Sequence, residues 1–161
     1  MRITIFTTGG TIDKVYFDAK SEFHVGDSEI PEFLRVASVV LPTQIESLLR
    51  KDSLDVDDAD RAMIRERVID ESASRILITH GTDTMVETAR VLAGIPDKTI
   101  VLTGAMRPSR QRVSDAVFNI GFALAAVQLL PPGVYLAMHG EILDPEKARK
   151  NRAAGRFESA G

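Results

Sequence analysis

Hydrophobic and polar positions fall along the chain in alternating short and long blocks. Arg2 to Thr8 (RITIFTT) is rich in β-branched residues and stops at Gly9-Gly10, the pattern of a buried strand feeding a tight turn. Asp13 to Pro31 is polar and aperiodic and predicts a long mobile loop of the kind that often serves as a lid. Pro31 to Ala37 predicts a short helix, and Thr43 to Arg50 a strand, although its residues also suit a helix. Asp57, Asp58 and Asp60 crowd the first turn of a predicted helix whose apolar positions include Ala62, Met63, Ile69 and Ala73. Strands follow at Arg75 to Thr79, Thr99 to Thr103 and Val134 to Met138, separated by helices at Thr82 to Leu92 and Ser114 to Leu130. Strands alternating with helices predict an α/β fold, a doubly wound, mainly parallel sheet with helices on both faces. No linker or repeat divides residues 1–161, so one domain is expected. Glu146 to Arg152 (EKARKNR) is a basic run whose plain reading is a solvated helix end.

The apolar stretch Ile120 to Met138 is long enough to raise the question of a membrane span. It contains Gln128 and is broken by Pro131-Pro132-Gly133, which fits a buried helix and strand better. Met1-Arg2 runs straight into strand-like sequence with no apolar leader, so a cytoplasmic protein is expected. With 20 Lys and Arg against 23 Asp and Glu, the net charge of −3 lacks the basic excess of a nucleic-acid binder. No nucleic acid and no membrane is therefore expected as a partner. The absence of cysteine removes disulfides, thiolate metal sites and a cysteine nucleophile together. His24, His80 and His139 lack zinc-site spacing, and Gly9-Gly10-Thr11 is not a dinucleotide fingerprint, so no metal and no cofactor is expected. His80 reads as a structural hydrogen-bonding residue rather than a base.

Two loops remain as candidates for chemistry. In a doubly wound sheet ligands bind beyond the carboxyl ends of the strands. Thr8-Gly9-Gly10-Thr11-Ile12 and Thr79-His80-Gly81-Thr82-Asp83-Thr84 both fall there. Singly, each reads as a turn or a helix cap. Together they offer two hydroxyls, a carboxylate and glycines at one end of one sheet, a constellation suited to holding and attacking a small polar molecule. A threonine hydroxyl is a weak nucleophile and needs a base and oxyanion donors nearby.

These two loops, in this order and separation, resemble the paired signatures of the bacterial-type L-asparaginase family. Gly104-Ala105-Met106-Arg107-Pro108, Ser114-Asp115, Phe118-Asn119 and the stretch from Ile142 to Lys150 extend the resemblance over nearly the whole chain, which looks like the family's N-terminal domain, a three-layer sandwich, without the C-terminal domain. The resemblance implies hydrolysis of L-asparagine to L-aspartate and ammonia through a threonine nucleophile and a covalent acyl-enzyme, with no cofactor. It implies Thr11 as the nucleophile of the loop half of the site, and Thr82, Asp83 and Lys150 as the second catalytic group. Lys147 is the other lysine of the basic run, and which threonine is acylated stays open. Asp83 matches the residue that holds the substrate's α-ammonium, Ser53 one that contacts its α-carboxylate, and Gly10 and Gly81 let backbone amides reach the substrate. Two positions depart from the family pattern. Phe23 stands where a tyrosine is usual, with Tyr16 as its substitute in the same loop, and Leu54 stands beside Ser53 where many members carry a polar contact. Short-chain members of the family exist. A homo-oligomer is expected, since an isolated half-site would be open to water. The alternatives are a catalytically weak or inactive module that binds aspartate or asparagine, and an amidase component of a larger assembly.

Overall fold

In a computed structural model, which describes residues 1–160, six strands form one sheet. In chain order the elements are β1 (Ile3–Gly9), β2 (Lys14–Phe17), β3 (Glu22–Val25), α1 (Ile30–Val36), β4 (Thr43–Lys51), α2 (Asp58–Asp70), β5 (Arg75–Thr79), α3 (Met85–Val91), β6 (Thr99–Thr103), α4 (Ala116–Leu129), β7 (Gly133–Met138), β8 (Glu141–Leu143), β9 (Ala148–Asn151) and β10 (Arg156–Ser159). The sheet runs β4-β1-β5-β6-β7-β8 and is parallel except for the β7/β8 edge. This is the expected α/β architecture in three layers.

Strand pleating sorts the core. Phe6, Ile76, Ile78, Ile100 and Leu102 point to one face and pack against α2 and α3 through Ile64, Val68, Met85, Ala89 and Leu92. Ile3, Ile5, Leu77, Val101 and Ala137 point to the other face and pack against α1 and α4 through Leu34, Ile120, Ala123 and Val127. Burial on both faces is why these strands read as nearly unbroken apolar runs. α2 begins with a reciprocal cap, in which the Asp57 side chain accepts from the Asp60 amide at 2.8 Å and Asp60 accepts from the Asp57 amide at 3.1 Å.

The segment 43–50 is a strand, as expected, and pairs with β1 from Ile3↔Thr43 onward. Three expectations need correction. The polar segment 13–31 is a β2–β3 hairpin rather than an irregular loop: Val15↔His24 and Tyr16↔Phe23 pair across a turn at 18–21 in which Ser21 adopts φ 50°. Its strands are four residues long and mostly exposed, so no buried face gave them a readable period. The basic run 146–152 is not a helix end either. It holds β9, antiparallel to β10, with Ala148 and Phe157 as the buried anchors. The helix expected from Thr82 begins at Met85, with Thr82 to Thr84 left as the turn that feeds it. Among the described residues no helix is long and apolar enough to cross a membrane.

Candidate active site

The chain lays β4 on one side of β1 and β5 on the other, so strand order reverses at β1 and a crevice opens beyond its carboxyl end. β1 and β5 end level, Thr7 opposite Thr79, and Thr8 Oγ1 donates to the Thr79 carbonyl at 2.8 Å. The loops after these two strands are thereby brought face to face. Gly10 has φ 88°, and a Cβ there would collide with the Gly81 backbone; a Cβ on Gly81 would collide with Ser53. The backbones of the two loops therefore touch, with Thr11 opening the short helical turn Thr11–Asp13 just beyond the contact.

Ser53 is 2% exposed and ties the β4 end to the same place. Its Oγ accepts from the Asp83 amide at 3.2 Å, and its carbonyl accepts from Thr84 Oγ1 at 2.7 Å. Lys150 arrives from β9. Its Nζ donates to Thr82 Oγ1 at 2.7 Å and to Asp83 Oδ1 at 2.9 Å, joining residues 68 and 67 positions apart in sequence. Thr82 is buried, whereas the Lys150 and Asp83 side chains keep 15% and 27% of their surface in solvent. Lys147, on the other hand, is exposed at the start of the run. A cleft of about 300 Å³ opens beside Asp83 and Lys150, lined also by Arg90, Arg149 and Arg152. A larger hollow, about 620 Å³ around Arg2 and Ser72 to Arg75, lies at the opposite, amino end of the strands.

The structure thus gathers Gly10, Gly81, Ser53, Thr82, Asp83 and Lys150 and sets Thr11 at their margin. Tyr16 stands apart from the lysine cluster, on the hairpin, 49% exposed, with its ring edge-on to Phe23 at 5.2 Å between centroids. Leu54 is 66% exposed beside buried Ser53. His80 is fully buried: its Nδ1–H donates to the Gly81 carbonyl at 2.8 Å and its Nε2 accepts from Thr88 Oγ1 at 2.9 Å, an assignment made from the partners. Burial lowers its pKa to about 4, so it is neutral and structural at pH 7, as read from the sequence.

Other groups at the site were not foreseen. Arg152 contacts Asp83 Oδ1 at 3.1 Å, sharing that oxygen with Lys150. A strand reading of 148–151 would have placed it two residues beyond Lys150 on the same face. Asp13 is 2% exposed, two residues after Thr11, and burial raises its pKa to about 6 against the lowering pull of Ser28 and Arg110. Lys14 pairs with Asp52 at 2.6 Å, pinning the hairpin base beside Ser53. Asp115 accepts from the Met106 and Arg107 amides and holds the 104–115 segment, whose Ser109 amide donates to the Ile12 carbonyl at 3.1 Å.

The model of the asparaginase N-terminal domain matches residues 2–159. The chain belongs to the asparaginase family. Among its relatives, a glutamyl-tRNA(Gln) amidotransferase subunit of Methanococcus vannielii is 36% identical over 154 residues, 88% of this chain and 35% of that protein. L-asparaginase 2 of Escherichia coli is 31% identical over 163 residues, 92% of this chain and 46% of that protein. The thermostable L-asparaginase from Thermococcus kodakarensis superposes with a TM-score of 0.85 at 27% identity, over 99% of this chain and 51% of that one. This asparaginase-family chain therefore spans between about a third and a half of the length of these relatives.

Proposed function

We propose that this domain is a cytoplasmic amidohydrolase that converts L-asparagine and water to L-aspartate and ammonia through a threonyl acyl-enzyme. The observation that carries the reading is the Lys150–Thr82–Asp83 cluster, with Lys150 Nζ at 2.7 Å from one and 2.9 Å from the other. Thr11 Oγ attacks the side-chain amide carbonyl, the C–N bond breaks, and ammonia leaves with a proton. Water then cleaves the Thr11 ester and releases aspartate. Lys150 Nζ donates to Thr82 Oγ1 and orients that hydroxyl, and Asp83 fixes the lysine in place, while the proton lost by Thr11 leaves with the ammonia and the hydrolytic water's proton restores it. Asp83 and Ser53 hold the substrate's ammonium and carboxylate; the Gly10 amide is bonded to the Lys51 carbonyl at 2.9 Å, so oxyanion donors come from the backbone that follows Gly10 and from the Gly81 turn. Tyr16, on the hairpin that follows Thr11, is the hydroxyl assigned to assist it.

The test is ammonia release from L-asparagine and, separately, L-glutamine by the purified chain and by Thr11→Ala and Thr82→Ala. Release lost in both variants is expected, together with a mass increase on Thr11 when turnover is quenched by acid. Unchanged release in both variants would falsify the assignment. A second reading, an amidase that feeds ammonia to a larger assembly, is favoured by the glutamyl-tRNA(Gln) amidotransferase subunits among the relatives. It predicts that amide hydrolysis rises when a partner protein is added.

A further inference from the structure

The cations around Asp83 are not held alike. The cleft beside it is lined by Arg90, Arg149, Lys150 and Arg152, four positive side chains against the carboxylates of Asp83 and Glu87. Arg90 is committed to the backbone, its Nε donating to the Pro145 carbonyl at 3.0 Å. Arg149 pairs with Glu158 at 3.7 Å. Lys150 is anchored twice, on Thr82 Oγ1 and on Asp83 Oδ1, and its side chain is largely buried. Arg152 is held differently. Its Nη2 lies 3.1 Å from the same Asp83 oxygen, yet its side chain is 71% exposed and it stands at the first residue of the turn after β9. An exposed ion pair on a long flexible stem is weak, so Arg152 is the cation of this cleft that leaves most easily.

We propose that Arg152 is a specificity-determining residue: it competes with the α-ammonium of an amino-acid ligand for Asp83 and is displaced when that ligand binds. The proposal rests on the reading of Asp83 as the group that holds the ammonium. Asp83 Oδ1 already accepts from two cations, Lys150 and Arg152, which takes up the two acceptor positions of that oxygen. An ammonium arriving at either oxygen of this carboxylate therefore meets the guanidinium as a like charge. Lys150 stays, because Thr82 fixes it from a second side, and Arg152 swings out to solvent. Apparent affinity falls by the fraction of molecules whose Asp83 is open to the ligand, and a competitor held by an exposed ion pair lowers that fraction a few-fold, not by orders of magnitude. The cost falls on every ligand that carries an ammonium and on none that lacks one. Arg152 thus narrows the preference of the site for amino acids over the same molecules without the amino group.

L-aspartate and succinate form the pair that reads this, since they differ only in the α-ammonium. Calorimetric titration of each into the whole chain gives the aspartate-over-succinate preference as a ratio of Kd values, in which the general attraction of a basic cleft for dicarboxylates cancels. Arg152→Gln is expected to raise that preference about three- to fivefold. Arg149→Gln removes the same charge from the same cleft without touching Asp83, and should shift both affinities alike and leave the preference as it was. Asp83→Ala should erase the preference. A preference that Arg152→Gln leaves unchanged or lowers, or that Arg149→Gln raises equally, overturns the proposal alone as long as Asp83→Ala still erases it. A wild-type chain that binds neither ligand or shows no preference, or a preference that survives in Asp83→Ala, overturns the assignment of Asp83 and the role of Arg152 together.

Discussion

Two buried groups near the site pull stability in opposite directions with pH. His80 has its folded pKa lowered to about 4 from 6.5, so between those values the unfolded chain binds the extra proton and stability rises with pH. Asp13 has its folded pKa raised to about 6 from 3.8, so across that range the folded chain binds the extra proton and stability falls as pH rises. Each slope reaches about 1.4 kcal/mol per pH unit, and the two windows nearly coincide, so they largely cancel. Asp13→Asn removes one of the pair. Its melting temperature should equal the wild type near about pH 4, where both side chains are neutral, and exceed it near about pH 7, where wild-type Asp13 is a buried charge. Thermal melts at the two pH values check this, and a variant less stable than wild type at the higher one contradicts it. Gly10→Ala acts at the same scale through geometry, since it adds a Cβ against the Gly81 backbone at φ 88°. A loss of about 2–4 kcal/mol is expected from strain and overpacking, read as a denaturation midpoint shift together with lost amidase activity. Lys150→Met should lower kcat by at least about 100-fold while leaving the fold intact, because the lysine is surface-accessible but in contact with Thr82.

The elements that place these residues differed in how openly the sequence declared them. β1, β5, β6 and β7 are buried on both faces, and their continuous apolar runs left little else for them to be. Thr11 and Thr82 were legible for the same reason: each lies a few residues past such a strand, next to a glycine, where this topology puts ligands. The hairpins were hidden by weaker signals. β9 carries the run Arg149-Lys150-Asn151, and only Ala148 within it and Phe157 opposite are buried, too few apolar positions to set a period of two. Its charge pattern suits a helix equally well, and the pairing that decides the matter is made by a segment that begins five residues beyond its end. Resemblance alone pointed to the long reach from Lys150 to Thr82; no spacing in the sequence encodes it, since nothing local fixes it. Phe157→Ala tests that dependence. Phe157 is 2% exposed and joins the core on the α2/α3 face, so its loss should cost about 3–5 kcal/mol. Because β9 lies outside the six-stranded sheet, the hairpin should loosen before the sheet does, and kcat should fall by about tenfold or more at temperatures where the far-ultraviolet dichroism is still native. Parallel loss of both signals would mean that the hairpin is not a separate support for Lys150.

At the scale of the whole molecule, the proposed function rests on segments distant in sequence meeting at one sheet end: the β1 loop, the turn after β4, the loop after β5 and the β9 strand. Each contributes one or two groups, and none forms a site alone. A ligand that bridges them should therefore stabilise the entire fold and not one element. If L-aspartate occupies Asp83 and Ser53, binding adds RT ln(1 + [L]/Kd), about 2.7 kcal/mol at a hundredfold excess over Kd. For a chain of this size that is a rise in Tm of about 5–10 °C. Asp83→Ala removes the ammonium partner and should abolish the rise, while Thr11→Ala, which removes only the attacking hydroxyl, should keep it. The comparison separates chemistry from recognition. A rise retained in Thr11→Ala with turnover lost places the two functions on different loops, whereas a wild-type chain whose Tm does not move with aspartate would mean that the four segments meet without forming an amino-acid site.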